Sequence, residues 1–295
     1  MLRTVQAEGQ DRALRDRNMR IARRVTGRVF IHIILLAGAL LYLFPFFWML
    51  STSLKAPTDV MKNPPVWIPP VLQWGNYPAA LSYFPFVRYL FNTLFIVAVN
   101  ILGTVFSSSI VGYSFARLRW PGRDIWFGVL IATMMLPGAV TMIPQFIMFR
   151  NFGWLNSYLP LTVPSFTGSA FNIFLLRQFF RTIPMDLSES AKIDGCPEYR
   201  IFYQIVLPLC APALATIAIF SFMGSWNDFI GPLLYINEKM RYTLTFGLRT
   251  FQMQSDTRWY LMMAASIVVA MPTLVVFFSC QKYFIEGITL TGMKG

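Results

Sequence analysis

Six apolar stretches, separated by shorter polar ones, recur along the chain. A membrane-spanning helix needs about 20 consecutive, mostly apolar residues. The pattern therefore predicts an all-α membrane protein with six transmembrane helices. We place the spans at about residues 29–50, 87–112, 125–149, 158–180, 209–235 and 260–282, which together make one six-span transmembrane domain of residues 29–282. A basic tail, residues 1–28, precedes this domain, and a short tail, residues 283–295, follows it.

The basic residues are divided unequally between the two sides of this arrangement. Eight of the 25 Lys and Arg residues lie in residues 1–28. With six spans, one side of the membrane holds 17 basic residues and the other holds 8. Cytoplasmic segments of membrane proteins are enriched in Lys and Arg, so we expect both tails in the cytoplasm. The loop 236–258 departs from the rule, because it carries four basic residues on the opposite side.

Composition excludes several classes of protein. The chain is 56% hydrophobic and 13% charged, against about 25% charged for an average soluble domain. Its net charge of +12 is typical of nucleic-acid binding, but the basic residues flank the spans, so we expect membrane lipid and no nucleic acid as partner. The cysteines, Cys196, Cys210 and Cys280, contain no Cys-x-x-Cys pair, and we predict neither a disulfide nor a metal site. None of the six lysines follows a glycine, so the Gly-Lys-Ser/Thr loop that binds nucleotide phosphates is absent from the sequence.

A polar stretch, residues 182–208, interrupts the apolar pattern. It predicts two short helices. The first runs from about Pro184 to Asp194 and ends at Gly195, and the second starts near Pro197 and stops before Pro208. Four apolar residues share one face of the second helix, which suits a groove in a partner: Ile201, Phe202, Ile205 and Val206.

This stretch resembles the Glu-Ala-Ala (EAA) loop of binding-protein-dependent ABC importer permeases. The matching positions are Glu189, Ala191, Asp194, Gly195, Phe202, Ile205, Leu207, Pro208 and Pro212. Ser190 and Cys196 replace two small residues of the pattern. The resemblance implies the type I ABC importer permease fold, with a cytoplasmic hairpin that docks on an ATPase subunit. It implies coupling roles for Glu189, Ser190, Ala191, Asp194, Gly195, Phe202, Leu207 and Pro208. The alternative is an ordinary polar loop between two spans.

Shorter segments are similar to maltose-type carbohydrate permeases: residues 44–55, 112–124 and 226–235. That similarity implies a subunit of the bacterial cytoplasmic (inner) membrane that imports a sugar or oligosaccharide. It also implies a second, homologous permease in a heterodimer, two ATP-binding ABC subunits that hold ATP and Mg, and an extracytoplasmic solute-binding protein. The chain itself is then expected to hold no cofactor and to catalyse no covalent step.

Polar residues inside the predicted fifth span are candidates for the solute pathway. Intramembrane polar residues often line such a path, and Trp226, Asn227 and Asp228 lie together there. Asn hydrogen-bonds sugar hydroxyls and Trp stacks on a sugar face. The alternative is structural: Asn227 and Asp228 satisfy the backbone near the break at Gly231 and Pro232.

The loop 236–258 and the last residues are further candidates, both by resemblance. In maltose-type permeases the corresponding loop faces the binding protein, which implies that role for Tyr242, Phe246, Arg249 and Phe251. The alternative is a segment that its aromatic residues hold in the membrane interface. The tail that ends at Met293–Gly295 resembles a family tail that reaches the ATPase pair.

Two other classes of protein and the choice of solute stay open. A secondary, ion-coupled transporter needs no ATPase, but such carriers often show internal repeats and several buried charges. An intramembrane enzyme needs paired catalytic residues within the spans, whereas the sequence has one histidine and one acid, Asp228, placed there. A neutral oligosaccharide and an acidic one, such as an alginate-type uronate chain, are both compatible with the sequence.

Overall fold

The computed structural model of the chain describes the backbone of residues 2–252 and 258–292 and the side chains of residues 26–252 and 258–282. Every regular element within those residues is helical, so the prediction of an all-α protein is confirmed. The chain divides into two units, residues 1–73 and residues 74–295.

The first unit is built on one long helix, α1 (Leu2–Ser53), which the short α2 (Pro57–Val60) follows. Most of its large apolar side chains from Val29 to Leu50 are not covered by the rest of the chain. A large exposed apolar surface of this kind indicates contact with lipid or with a partner. The proline-rich stretch that follows α2 folds back on the end of α1, where the ring of Trp67 packs 5.4 Å from that of Trp48.

The basic tail differs from its prediction. We expected residues 1–28 to be at most partly helical because they lack apolar periodicity, yet α1 is continuous from Leu2. The tail has no proline, and eight of its 28 residues are Arg, which is a good helix former. Extending an existing helix is also easier than nucleating one.

The second unit contains most of the helices. They are α3 (Asn76–Ser82), α4 (Phe86–Arg117), α5 (Arg123–Thr133), α6 (Gly138–Asn151), α7 (Leu159–Thr162), α8 (Ala170–Thr182), α9 (Asp186–Ile193), α10 (Glu198–Arg200), α11 (Leu207–Leu209), α12 (Ala211–Trp226), α13 (Ile230–Tyr235), α14 (Leu244–Gly247) and α15 (Trp259–Gly292). Short 3₁₀ turns lie at Val163–Thr167, Lys239–Arg241 and Leu248–Phe251, and a π turn lies at Ile201–Val206.

Helix α4 is the centre of this unit, since it packs against both α8 and α12, and α12 packs in turn against α15. Two apolar cores lie along α4. The first core surrounds Tyr89 and Val97 of α4, and the second core surrounds Tyr113 near its other end. Small residues permit the close packing: a side chain at Gly112 would meet Leu176 of α8 at 3.1 Å.

Four helical stretches of the described residues are long and apolar enough to cross a membrane: Thr26–Ser53, Phe86–Arg117, Leu159–Thr182 and Trp259–Lys282. Two further pairs of helices pass the same test together but are bent, by 97° between α5 and α6 and by 80° between Leu209 and Ala211. If each bent pair is one span, the count is six, as predicted. The first bend lies at Pro137, whereas Pro144 stays inside α6 without ending it.

Candidate functional site

The hairpin, residues 182–208, turns at Gly195. Its first helix, α9, ends there with Gly195 in the left-handed region at φ 76°. The Gly195 N–H donates to the Lys192 carbonyl at 3.0 Å and the Cys196 N–H donates to the Ala191 carbonyl at 2.9 Å. These two bonds define a Schellman motif, which favours glycine at this position. The prediction that Gly195 ends the first helix is confirmed.

The second helix of the hairpin passes through Pro208, where we predicted its end. Residues Ile201–Val206 form a π turn, and α11 resumes from Leu207 with Pro208 at its second position. Pro208 has no N–H to donate to the preceding turn, and that turn is the π turn, where the Leu207 N–H donates to the Phe202 carbonyl five residues back. The wider π turn thus accommodates a residue that would interrupt a regular α-helix.

The apolar face of this second helix packs against the chain itself. Ile201 and Val206 are completely buried in the second core. The ring of Phe202 packs 4.9 Å from the ring of Tyr113 on α4. The prediction that this face occupies a groove in a partner is therefore wrong in this structure, since burial against α4 already removes it from solvent.

Arg117, the last residue of α4, joins the hairpin to the rest of the unit. It is buried, with 7% of its surface exposed. Its guanidinium donates to the Ile183 carbonyl at 2.6 Å, the Pro184 carbonyl at 3.2 Å and the Ser188 hydroxyl at 2.8 Å. It also reaches the Phe180 carbonyl at 3.3 Å. The Ile183 and Pro184 carbonyls accept from Arg117, and the first helical bond of α9 goes to the Met185 carbonyl, so α9 begins at Asp186 rather than at Pro184.

From the sequence, Arg117 counts only as one of the 17 basic residues that indicate the cytoplasmic side of the membrane. A buried guanidinium can saturate several carbonyls because it presents five donors in a fixed plane. The available signal was its place directly after a long apolar helix, with Gly112 and Tyr113 one turn earlier. That signal does not identify the acceptors, which lie more than 60 residues away in the sequence.

Glu198 connects the two helices of the hairpin with α4. Its carboxylate accepts a hydrogen bond from the Tyr113 hydroxyl and forms an ion pair with Lys192 at 2.8 Å. Together with the Arg117 contacts, this fastens both hairpin helices to one end of α4. A displacement of the hairpin must therefore displace α4 or break these bonds.

The outer surface of α9 stays free for a partner. Ile193 is 87% exposed and Leu187 is 43% exposed. Glu189 is exposed, and its carboxylate has no ion-pair partner among the residues that the structure describes. Large exposed apolar residues beside an unpaired charge are typical of an interaction surface.

The remaining predicted coupling residues are divided between surface and interior. Ser190 is exposed, and its hydroxyl bonds the Leu187 carbonyl. Ala191 and Leu207 pack against the second core. Asp194 caps α9, and Pro208 is exposed. Glu189, Ser190 and Asp194 thus share the exposed side of the hairpin, while Ala191, Phe202 and Leu207 fasten it.

The side chains of Trp226, Asn227 and Asp228 hydrogen-bond the backbone, which favours the structural interpretation of this segment over a solute path. Trp226 is 2% exposed, and its indole N–H donates to the Val269 carbonyl at 3.0 Å. The Asn227 amide bonds the Met223 carbonyl at 2.8 Å, closing the end of α12. Trp226 therefore presents no face to a sugar in this structure, and the structural alternative fits Asn227.

Asp228 fits both the structural interpretation and the interpretation as part of a solute pathway. One carboxylate oxygen accepts the Gly231 N–H at 3.0 Å and so caps α13. The residue also lines a cavity of about 290 Å³, here called the polar cleft. The polar residues of this cleft come from α4, the 3₁₀ turn, α12 and the connector after it: Asn100, Thr104, Ser165, Ser221, Ser225 and Asp228. Five of these six were missed, although polar residues within apolar spans are a usable signal.

The segment 236–252 buries the side chains that we predicted to face a binding protein. Phe246 is 6% exposed and Phe251 is 1% exposed, both around the first core. The ring of Phe251 stacks on that of Tyr83 at 4.7 Å, and Tyr242 packs edge-on to Phe246 at 4.4 Å. The aromatic residues hold the segment in place, and two of the four candidates, Tyr242 and Arg249, are half-buried and keep partial access to solvent.

Hydrogen bonds from α4 fasten the same segment. The Asn92 side chain donates to the Met240 and Tyr242 carbonyls, each at 2.9 Å. The Leu244 N–H donates to the Thr93 hydroxyl at 2.9 Å. Residues 253–257 of the predicted loop and the predicted ATPase contact at Met293–Gly295 lie outside the described residues.

Comparison with known proteins links these features to a family. The profile of the binding-protein-dependent transport system inner membrane component family matches residues 108–289. The chain is 32% identical over 91% of its length to the arabinooligosaccharides transport system permease protein AraQ of Bacillus subtilis (strain 168), 96% of which is covered. It is 32% identical over 88% of its length to the sn-glycerol-3-phosphate transport system permease protein UgpE of Yersinia enterocolitica, 95% of which is covered.

A solved structure shares the fold. A chain in the crystal structure of a bacterial ABC transporter involved in the import of the acidic polysaccharide alginate superposes with a TM-score of 0.79. The match covers 88% of this chain and 97% of that chain, at 23% identity. The helical architecture is therefore that of an ABC importer subunit.

Proposed function

The chain belongs to the family of binding-protein-dependent transport system inner membrane components, and from this premise we propose what it moves and how it is powered. As a family member, it is a membrane-spanning permease subunit of an importer that works with a binding protein. We propose that its solute is a sugar or oligosaccharide. The relative AraQ, which is named for arabinooligosaccharide transport and matches 91% of this chain, supports a carbohydrate as the solute.

The hairpin is the proposed contact with an ATPase subunit. The observation that carries this assignment is the exposed surface of α9, with Glu189 unpaired and Ile193 in solvent, on a hairpin that Arg117 joins to α4. A partner that binds Glu189 and the apolar side chains beside it would act on a rigidly attached element. The proposed coupling residues remain Glu189, Ser190, Ala191, Asp194, Gly195, Phe202, Leu207 and Pro208.

The proposed assembly contains two permeases, this chain and a homologue, with two ATP-binding subunits and the binding protein. ATP and Mg belong to the ATP-binding subunits, and this chain performs no covalent chemistry in the proposal. Both tails and the hairpin then lie in the cytoplasm, while the segment 236–252 lies on the outer side. The excess of basic residues on the tail side supports this orientation.

The proposed mechanism is alternating access between two global states. Closure of the ATPase pair draws the two hairpins together, and each hairpin carries its α4 helix because Arg117 and Glu198 connect them. ATP binding shifts the equilibrium only by its different affinity for the two states. The change is a rigid-body rotation of packed helices around the solute path.

The test is purification of the tagged chain from native membranes, followed by uptake into proteoliposomes. We expect a second permease and a nucleotide-binding subunit in stoichiometric amounts, and sugar uptake that needs ATP and the binding protein. A chain that purifies alone and moves solute without ATP would instead be a secondary transporter, and the hairpin assignment would be wrong.

A further inference from the structure

The polar cleft has the shape and depth of a small binding site within the membrane domain. It is open to the surface of its unit and holds about 290 Å³, close to the lower limit of about 300 Å³ for small-molecule pockets. Asn100 and Thr104 lie near the middle of α4, so the cleft lies at the depth of a span. Polar groups at such a depth are costly unless they meet a partner.

Two acceptor groups of the cleft, the Asn100 amide oxygen and the Asp228 carboxylate, keep lone pairs that are not used within the described residues. The Asn100 amide nitrogen donates to the Ser225 hydroxyl at 2.9 Å, which directs the amide oxygen elsewhere. That oxygen is buried and has no hydrogen-bond partner among the described residues. The Asp228 carboxylate adds further acceptor sites beyond the one that the Gly231 N–H occupies. Because the Asn100 oxygen has no accessible surface, the Asp228 carboxylate is the acceptor that a ligand with hydroxyl donors can reach.

The charge of the cleft is negative. Asp228 is its one ionisable residue, and no Lys, Arg or His lines it. A second negative charge, brought by an anionic solute, would be repelled by this carboxylate. A neutral, hydroxyl-rich solute pays no such penalty.

The cap on α13 does not require this charge. An Asn side chain caps a helix about as well as Asp, so the capping role leaves the carboxylate unexplained. The glycine at position 231 leaves room for the Asp228 carboxylate. A side chain there would overlap the carboxylate and approach Leu161 at 2.7 Å.

We propose that the polar cleft is a solute site that selects uncharged polyhydroxylated solutes, with the Asp228 carboxylate accepting a solute hydroxyl and repelling anions. The inference rests on the proposed function, since it assigns a solute class to the same permease. It chooses between the neutral and the acidic oligosaccharides that the sequence leaves open.

The experiment is equilibrium dialysis of the purified importer complex, without binding protein, against a radiolabelled neutral trisaccharide and a uronate trisaccharide of the same length. For the wild-type complex we expect tighter binding of the neutral sugar. Asp228→Asn keeps the cap and should strengthen uronate binding about tenfold, as removal of a like charge predicts. Gly224→Leu places a side chain in the cleft at a lining position where nothing lies within 4 Å of the new Cβ, and should weaken neutral-sugar binding about tenfold.

Thr133→Val, a polar-to-apolar change at an exposed position of α5, is the control and should change neither affinity. Equal binding of both sugars by the wild type, or unchanged binding in both cleft variants, would overturn the inference. If Asp228→Asn fails to assemble, the Gly224→Leu result still decides. ATP-dependent sugar uptake by the whole importer is measured separately, so the cleft inference can fail while the proposed function stands.

Discussion

The hairpin and the segment 236–252 are both short, irregular helical regions, but they present opposite surfaces. The hairpin leaves Ile193 at 87% exposure, whereas the segment holds Phe251 at 1%. The hairpin is fastened by side chains, chiefly Arg117, that bond its backbone from inside. The segment is fastened by its own aromatic rings and by Asn92. An apolar residue in a loop therefore indicates a partner only when the rest of the chain leaves it uncovered.

Among the substitutions that test this comparison, Gly195→Pro should have the largest effect on uptake. Proline fixes φ near −65°, about opposite in sign to the observed 76°, and removes the N–H that bonds Lys192. We expect the hairpin to lose its shape and uptake to be abolished, with membrane insertion retained. Uptake assays and immunoblots of the membrane fraction check this.

Gly195→Asn is the matched control, because Asn tolerates left-handed backbone and no atom would obstruct its Cβ. It should keep most of the uptake. Wild-type uptake in Gly195→Pro would contradict the coupling role of the hairpin.

Arg117→Met should detach the hairpin from α4. The substitution leaves the Ile183 and Pro184 carbonyls and the Ser188 hydroxyl without their donor. Hydrogen bonds to a charged group contribute about 1.5–3 kcal/mol each, so we expect a loss of roughly 3 kcal/mol or more in the free energy of unfolding. Thermal unfolding of the complex gives the stability, and the ratio of uptake to ATP hydrolysis gives the coupling.

Arg119→Met changes an exposed arginine two residues away and serves as the control. We expect it to alter stability by less than about 0.5 kcal/mol, as typical surface substitutions do. Equal behaviour of the two variants would show that the buried guanidinium does not join the hairpin to α4.

Asn92→Leu should loosen the segment 236–252 and leave the hairpin unchanged. The Tyr242 carbonyl loses the Asn92 donor, and the Met240 carbonyl keeps only its exposed bond from Arg88, at a cost of about 2 kcal/mol. Hydrogen exchange should accelerate in residues 238–246 and stay constant in the hairpin. Arg88→Met removes an exposed bond to the same Met240 carbonyl and should have a much smaller effect.

Glu189→Ala should have the smallest effect on the isolated subunit and separates docking from folding. Its exposed carboxylate has no ion pair in the described part of the chain, so thermal stability should not change. Affinity for the ATPase subunit should fall about tenfold, or 1.4 kcal/mol. Asp186→Ala, on the same helix but outside the EAA pattern, should bind normally. Unchanged affinity in Glu189→Ala would move the docking surface elsewhere.

Local features of the hairpin were predictable, and contacts between distant residues were not. The turn at Gly195 follows from the residues beside it, since a helix that ends in a Schellman motif favours glycine. The second helix illustrates the limit: its apolar face predicts burial, but periodicity does not say whether the chain or a partner covers it. The same ambiguity led to the wrong placement of Phe246 and Phe251 on an exposed surface.

The sequence by itself determined the membrane class, the helical fold, the family resemblance and the hairpin turn, because each depends on composition or on residues close together in the chain. Tertiary structure alone decided that Arg117 holds the hairpin, that Trp226 lies in a core, and that Asn100 and Asp228 share a cleft. In a membrane protein, apolar residues cover both the lipid-facing and the core-facing sides of a helix. Hydrophobic pattern therefore locates the spans, but only packing shows which side chains meet one another.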